Sequence, residues 1–529
     1  MASKRSASPR ASGKEPKHQR PLQLMSTEEK IDVIVMLRER RSHGEVAAHY
    51  CMTESAVACI ETEYEQAFTR FAPVTIQITF QNFVSALYFY YLYFQLLGTK
   101  VAAYNRIRFL TDALGDLDSY FRKQGSQLHV FKGDPVEIFR MLHKNCGMSR
   151  LTFEQHVSSL LGLPPRPSPY PDWTDVFFGE ITDGLAGKLG LCPKIPTPEE
   201  LGFFQECDEA CPYVGGETAA LKHLEERLRV EEDAFRDGYI LPNQVNPDIL
   251  GPPMSMSAAL RFGCLSVRKF FWEVQEVYFK LHKGLPPPSH SLTAQLIWRE
   301  FFYCMSAKNP KYDKMKGNPI CIDIPWYEDE EHFNAWKDGR TGYPFIDASM
   351  RQLRKEGWIH HVCRTAVACF LTRGDLWISW EKGLQVFLKY LIDADWSVSA
   401  GNWMWVSSSA FERQLDCSTC ICPVNYGRRV EPTGDYIRRY VPEIANFPQE
   451  YIFEPWLAPL AIQKKYNCII GKDYPERVVI HEVVSKENRK MMENISQRMK
   501  EAPPHCCPSN VKETRLFLRL PQSCFHNVL

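Results

Sequence analysis

Apolar residues recur with two periods along this chain, and the change between them marks out its parts. Ser26 and Glu29 have capping-box spacing, and Ile31, Ile34 and Leu37 follow on one helical face. A second short helix is predicted around Val46, Ala47 and Tyr50, and a third from Thr53 through Val57 and Ile60. Helix, tight turn, helix is a helix-turn-helix plan. Val74, Ile76, Ile78 and Phe80 then alternate like a strand, and the aromatic run "ALYFYYLYFQLL" follows. That run falls short of the about 20 apolar residues a membrane span requires, so it reads as a buried parallel strand. Tyr104 to Lys123 returns to helical periodicity, "LHVFKG" to strand, Pro135 to Lys144 to helix and "RLTFEQ" to strand. This is βαβ material and predicts a parallel sheet with right-handed crossovers, too short for a complete doubly wound domain. Helical segments separated by Pro-containing loops dominate from Gly216 onward.

The predicted organisation is a disordered basic tail over 1–25, a helix-turn-helix-like unit over 26–70 and a truncated α/β domain over 71–156. A Pro- and Gly-rich linker (157–215), a large all-helical domain (216–498) and a C-terminal tail (499–529) follow. At 529 residues, two or three domains are expected. Lys+Arg 63 against Asp+Glu 63 gives no net charge, so a broad nucleic-acid coat is excluded and any such binding needs a local patch. The 18 Cys are scattered, and the polar N-terminus (Lys4, Arg5, Arg10) has no apolar signal core, so a reduced intracellular protein is expected. Cys417, Cys420 and Cys422 include a C-x-x-C without a second pair, and no metal is assigned to them. Nearly all of the 12 Trp fall after residue 270.

The segment "STEEKIDVIVMLRERRSHGEVAAHYCMTESAV" resembles the helix-turn-helix of centromere-binding and Tigger-type transposon proteins. Recognition helices usually present Lys or Arg to DNA. Here the third helix offers Glu54, Glu61, Glu63 and Glu65 before Arg70, which phosphates would repel, so DNA binding by this unit stays open.

The chemistry concentrates between 293 and 405. His360, His361 and Arg364 fall close together on one helix, and Asp393 and Asp395 precede Trp396, Asn402 and Trp403. Val367, Phe370 and Leu371 surround Arg364 with apolar neighbours, and a buried guanidinium needs a carboxylate; Asp393 is the candidate. Such a pair is equally compatible with a purely structural role.

The stretch "TGYPFIDASMRQLRKEGWIHHVCRTAVACFLTRGDLWISWEKGLQVFLKYLIDADWSVSAGNWMWVSS" resembles the FAD-binding domain of the cryptochrome/photolyase family, as do "QLIWREFFY", "ALRFGCLS" and "GNPICIDIPW". "GLPPRP" and "PPHCCPSN" look most like insect-type, light-sensing cryptochromes. The resemblance implies an incomplete doubly wound parallel α/β domain followed by a large all-helical FAD-binding domain. It implies FAD as cofactor, with Arg227, Ser255 and Ser257 at the phosphates, Gln295, Trp298 and Arg299 lining the cavity, and Arg364 and Asp393 paired against the flavin. Asp395 and Asn402 would bond the ring and ribose edges, and Ser399 would face flavin N5. Light-sensing members carry Cys at that last position and photolyases Asn. Serine is a poor proton donor, so the flavin is expected to stay unprotonated at N5 after one-electron reduction.

The family passes an electron along tryptophans to the excited flavin. Trp403, Trp380 and Trp326 match that chain, with Trp377 as an outer fourth member placed one helical turn from Trp380. Any one of them could equally be core filler. Six-four photolyases use two histidines; His361 matches the first, but Thr365 stands at the second. Cyclobutane photolyases place Glu where this chain has Gln295. A photoreceptor is therefore expected rather than an enzyme, His361 coupling flavin to tail. Photolyase activity and a DNA-binding fusion are the alternatives. The resemblance further implies partners of the Timeless/Period clock type and ubiquitin-ligase components, no membrane, and a location in nucleus and cytoplasm. The family's Phe-Phe-Trp-Leu tail plug is here Phe517, Leu518, Arg519, Leu520, and its first strand is absent. No antenna pigment is expected.

Overall fold

A computed structural model describes residues 42–50, 74–80, 83–89, 102–124, 127–131, 138, 140–142, 144, 148–152, 191–192, 194–205, 211–236, 248–251, 255–283, 292–307, 309–411 and 420–501. The chain divides into two compact units. One comprises 1–91, 129–153 and 176–191; the other comprises 92–128, 154–175 and 192–529.

The first unit holds helix α1 (His43–Tyr50) and a sheet. Its strands are β1 (Val74–Phe80), β2 (Phe83–Phe89), β3 (His129–Phe131), β4 (Met148–Thr152) and β5 (Leu191–Cys192), in the order β4-β1-β2-β3-β5. α1 starts with a reciprocal cap: Ser42 N–H donates to Glu45 Oε2 at 2.8 Å, and Glu45 N–H donates to Ser42 Oγ at 3.3 Å. It is the second helix of the predicted helix-turn-helix. The first and third, with the basic N-terminal tail, lie outside the described residues.

The sheet corrects the expectation of parallel strands. β1 runs antiparallel to β2, from Val74 opposite Phe89 to Phe80 opposite Phe83, and antiparallel to β4. The β2–β3 pair is parallel. The reason is connection length: two residues separate β1 from β2, whereas a parallel crossover needs a dozen or more.

The second unit carries helices α2 (Tyr104–Lys123), α3 (Glu217–Arg236), α4 (Ser257–Phe262), α5 (Val267–Leu281), α6 (Leu292–Ser306), α7 (Glu330–Lys337) and α8 (Pro344–Glu356). It continues with α9 (His361–Cys369), a π turn (Phe370–Gly374), α10 (Trp380–Tyr390), α11 (Trp396–Val406), α12 (Pro423–Val430), α13 (Asp435–Tyr440), α14 (Leu460–Lys465) and α15 (His481–Glu501). Its core is one apolar cluster running from Ile249 to Tyr474, and most of α8–α11 contributes to it. None of the described helices is long and apolar enough to cross a membrane.

Helix α2, which the sequence placed with the strands, belongs to this helical unit. Its buried Arg106 sits at the C-terminal end of α10, donating to the carbonyls of Leu391 (2.8 Å), Leu388 and Lys389 (3.3 Å). Asn105 Nδ2 donates to Lys355 O at 3.0 Å at the end of α8. These are the carbonyls a helix terminus leaves unsatisfied. α8 ends on Gly357 in the left-handed region (φ 75), and Gly357 O accepts from Ile392 N–H at 2.8 Å. One joint thus fixes the chain entering α9 and the segment carrying Asp393.

Candidate functional site

A cavity of about 1090 Å³ opens within the helical unit, at the upper end of the range for small-molecule sites. All twelve residues assigned to the cofactor from the sequence line it: Arg227, Ser255, Ser257, Gln295, Trp298, Arg299, His361, Arg364, Asp393, Asp395, Ser399 and Asn402. They come from α3, α4, α6, α9, α11 and the loops before α4 and α11, so no short window of sequence contains the site.

The paired charges are as expected. Arg364 and Asp393 meet as a two-pronged bridge, Nη1 to Oδ1 at 3.1 Å and Nη2 to Oδ2 at 2.8 Å. Ser257 Oγ donates to Asp393 Oδ2 at 2.5 Å, and Arg364 Nε donates to Ile359 O at 2.9 Å. The Asp393 side chain is 4% exposed against 25% for Arg364, so the carboxylate is the inner partner and the guanidinium remains open to the cavity.

Asp395 caps α11, accepting from Val398 N–H at 2.9 Å, and takes a second bond from Tyr303 Oη at 2.7 Å. Burial opposes its ionisation, but Arg261 at 3.6 Å and these donors outweigh burial and hold its pKa below the usual range. Ser399 Oγ accepts from Asp395 N–H at 3.3 Å, and Asn402 Nδ2 donates to Val398 O at 2.8 Å. Arg227 is already matched by Glu231, at 2.9 Å from Nε to Oε1, so it faces the cavity as half of an ion pair.

His360 caps α9, with Nδ1 accepting from Val362 N–H at 3.2 Å. That bond requires an unprotonated nitrogen, and desolvation, then His361 and Arg364, lower its pKa to about 4. His361 opens to the cavity but is hemmed in by protein elsewhere; desolvation first and Arg364 second lower its pKa, so it is neutral at pH 7.

Sequence reasoning did not single out Arg261, Tyr303, Arg439, Tyr213 or Trp358, all on the same wall. Arg261 and Tyr303 sit inside motifs that were noticed, and Arg261 follows Ser257 by one helical turn, which would have found it. Arg227, Arg261, Arg299, Arg364 and Arg439 give the cavity a cationic lining relieved by Asp248, Glu356, Asp393 and Asp395. Two buried polar atoms on it, Tyr213 Oη and Trp403 Nε1, have no hydrogen-bond partner among the described residues. Size, guanidinium and hydroxyl donors, and orphan polar atoms together fit a large, anionic, partly aromatic cofactor.

Four tryptophans lead away from this wall. Trp403 lines the cavity at 2% exposure, its ring 4.9 Å from Phe387. Trp380, fully buried, begins α10, and Trp380 and Trp403 share the main core cluster. Trp326 packs on that cluster and also on a smaller one formed by Ile322, Ile324, Trp377, Met492 and Ile495. Its ring lies 5.0 Å from that of Trp377. Trp326 thus packs both on the cluster that holds Trp403 and Trp380 and on the one that holds Trp377.

Trp377 corrects the sequence reading. It is not one turn from Trp380 on a helix: it precedes α10 in the left-handed region (φ 53), after the π turn. Its partner is Trp326, its Nε1 donates to Pro325 O at 3.0 Å, and α15 covers it to 1% exposure. The π turn between α9 and Trp377 breaks the helical course there, and its Thr372 has non-helical angles.

Gly383 on α10 permits the approach of Trp403. A Cβ there would lie 2.2 Å from Trp403 Cη2. Gly383→Ala is therefore expected to cost about 1–3 kcal/mol by overpacking and to displace the Trp403 ring. Thermal melts and tryptophan fluorescence check this.

α15 is anchored on the same region. His481 Nδ1 meets Asp375 Oδ1 at 2.7 Å, and Asn488 Nδ2 donates to Gly374 O and Asp375 O, both at 3.2 Å. Burial opposes the imidazolium, but bonds to Asp375 and Cys422 outweigh it and carry the His481 pKa up to about 10. One ligand atom each of Asp375, Cys420 and His481 lies within 4.8 Å of the others, a zinc-type donor set that the C-x-x-C spacing did not reveal. A raised histidine pKa stabilises fully below its unfolded value of about 6.5, and that stability is lost as pH climbs through the folded one. Raising pH from neutral toward 10 should lower the melting temperature of the native chain more steeply than that of His481→Gln.

A family described as "FAD binding domain of DNA photolyase" matches residues 292–494, and one described as "DNA photolyase" matches 84–160. The chain is 45% identical to Cryptochrome-1 of Anopheles gambiae, over 80% of this chain and 89% of that protein. It is 42% identical to Cryptochrome-1 of Drosophila melanogaster, over 80% and 90% respectively. Its fold is similar to that of a bacterial class III photolyase from Agrobacterium tumefaciens. That match has a TM-score of 0.59 and 24% identity, covering 75% of this chain and 89% of the other.

Proposed function

The chain belongs to the cryptochrome/photolyase family, and we propose that it acts there as an FAD-binding blue-light receptor of the cryptochrome type, signalling to circadian clock proteins. The observation that carries this reading is the cavity built around the Arg364–Asp393 bridge, with Trp403 in its lining, Trp380 in the same core cluster as Trp403, and Trp326 packed on that cluster and paired with Trp377. FAD supplies absorption of blue light and a one-electron acceptor. The residues around it divide the remaining work. Arg227, Ser255 and Ser257 would answer its pyrophosphate, and Gln295, Trp298 and Arg299 would close the wall around it. Asp395 and Asn402, both in the lining, would offer it hydrogen-bonding groups. Arg364, locked by Asp393, would hold a fixed positive charge beside the cofactor. His361, neutral at rest, and the hydroxyl of Ser399 would offer it no ready proton.

Indoles suit the transfer because they oxidise readily and delocalise the hole. Trp403, Trp380 and Trp326 each carry a buried Nε1 without a hydrogen-bond acceptor among the described residues. A hole on any of them has no base to take its proton and moves on.

We assign His361 the coupling of cavity charge to the C-terminal tail; the altered tail residues Phe517 to Leu520 lie outside the described residues. Partners of the Timeless/Period type and ubiquitin-ligase components, and work in nucleus and cytoplasm, belong to the same proposal. DNA repair is the competing reading, and Thr365 and Gln295 argue against it: both line the cavity and neither relays a proton at neutral pH. Illuminating the purified chain with a thymine-dimer oligonucleotide separates the two. Flavin bleaching with the dimer left intact is expected; dimer loss above the unilluminated control would overturn the receptor reading.

A further inference from the structure

Arg227 reaches the cavity already carrying a counter-ion. Glu231 follows it by one turn of α3, and Glu231 Oε1 accepts from Arg227 Nε at 2.9 Å and also from Nη2. The Glu231 side chain is 0% exposed, and its other oxygen, Oε2, is buried with no hydrogen-bond partner among the described residues. A buried carboxylate oxygen without a donor is costly while charged and far less so once it carries a proton.

Burial pushes the Glu231 carboxyl above its ordinary range, and Arg227 is the charge that opposes this. The elements packed on α3 bring no second charge to Glu231 among the described residues. α5 meets α3 through the rings of Phe235 and Tyr278, 5.1 Å apart, and α2 meets it at Thr218, whose N–H donates to Asp116 at 2.9 Å. On the cavity side, His360 feels both Arg227 and Asp248 and lines the wall with them. Within the Arg227–Glu231 pair the charges cancel. A pyrophosphate drawing on Arg227 adds two more negative charges beside a carboxylate that water cannot reach.

We propose that Glu231 is a proton site coupled to the cofactor: as the pyrophosphate engages Arg227, one proton passes from solvent to the Glu231 carboxylate, and it returns to solvent when the cofactor leaves. The one bond made is O–H, and no electron moves. Retention of the cofactor is thereby tied to pH. Protonated Glu231 tolerates the pyrophosphate, so acid tightens binding; rising pH restores the carboxylate and loosens it. Where a whole proton is taken up, affinity falls about tenfold for each unit of pH.

This rests on Arg227 meeting the FAD pyrophosphate, and the test separates the two. Full-length apoprotein is titrated with FAD by calorimetry in two buffers of different ionisation enthalpy, which counts protons. The native chain should take up at least about half a proton per FAD near pH 7, with affinity falling as pH rises. Glu231→Gln keeps the shape and an oxygen for Arg227 but cannot titrate. It should take up fewer protons, show a flatter pH dependence and bind FAD more tightly than the native chain at alkaline pH. Glu226→Gln, which alters an exposed carboxylate of the same helix, should behave as native. His360 and His361 also line the cavity, and whatever they take up survives in Glu231→Gln, so the difference between the two proteins is the quantity read. Difference infrared spectra of the native chain need no variant: FAD should bring in a protonated-carboxyl band. Absence of that band, no proton uptake by the native chain, or equal uptake in native and Glu231→Gln proteins overturns the proposal. A second arm titrates the same apoproteins with inorganic pyrophosphate. Glu231-dependent proton uptake with pyrophosphate but no binding of FAD overturns the receptor reading and leaves the proton site standing; no binding of either overturns both.

Discussion

Arg364→Ala is expected to purify without flavin. The substitution removes both prongs of the bridge and leaves Asp393, 4% exposed, with Ser257 as its remaining side-chain donor. Breaking a buried pair from one side costs about 3–5 kcal/mol, because the remaining charge is desolvated and unmatched. In this cavity the cost falls twice, on the helical unit and on the cofactor. The orphaned carboxylate lies on the wall where reduction would add negative charge, so like charges would repel. Arg364→Lys keeps the charge but loses the two-pronged geometry and should retain only part of the flavin. Absorbance ratios of flavin to protein, with melts of each variant, separate lost binding from lost folding.

The second large effect is expected at Trp380. Trp380→Phe keeps an aromatic filler in a fully buried position of the main cluster, so the fold should survive with a modest loss of stability. Benzene rings are much harder to oxidise than indoles, so the path is interrupted between Trp403 and Trp326. Flavin content should be unchanged while the rate of light-driven bleaching falls by at least about tenfold, some 1.4 kcal/mol of added barrier. Reduced bleaching in Trp380→Phe at full flavin occupancy would distinguish electron transfer from core packing, which no stability measurement can do.

The cavity wall was legible in the sequence because long motifs carry it. Arg364 and Asp393 were paired on charge logic alone, and they are bonded as that logic required. The twelve cofactor positions converge on one cavity although they span Arg227 to Asn402. Local geometry was less legible. Trp377 was put on a helix because three-residue spacing looks helical, yet a π turn and a left-handed residue intervene. β1 and β2 were read as parallel from composition, when the two-residue gap between them already required a hairpin. The capping of α8 and α10 by α2 joins residues more than 200 positions apart, and the Asp375–His481 pair spans 106. Nothing periodic announces such contacts; they follow from which helix ends need donors and which buried charges need partners.

All of this depends on a flavin seated against Arg364 with tryptophans running outward. The most direct measurement is the absorption spectrum of the purified full-length chain. Flavin bands at close to one equivalent per protein, bleaching under blue light in the presence of a thiol, are the expected outcome. A preparation that is colourless, and remains so after refolding with excess FAD, would contradict the account.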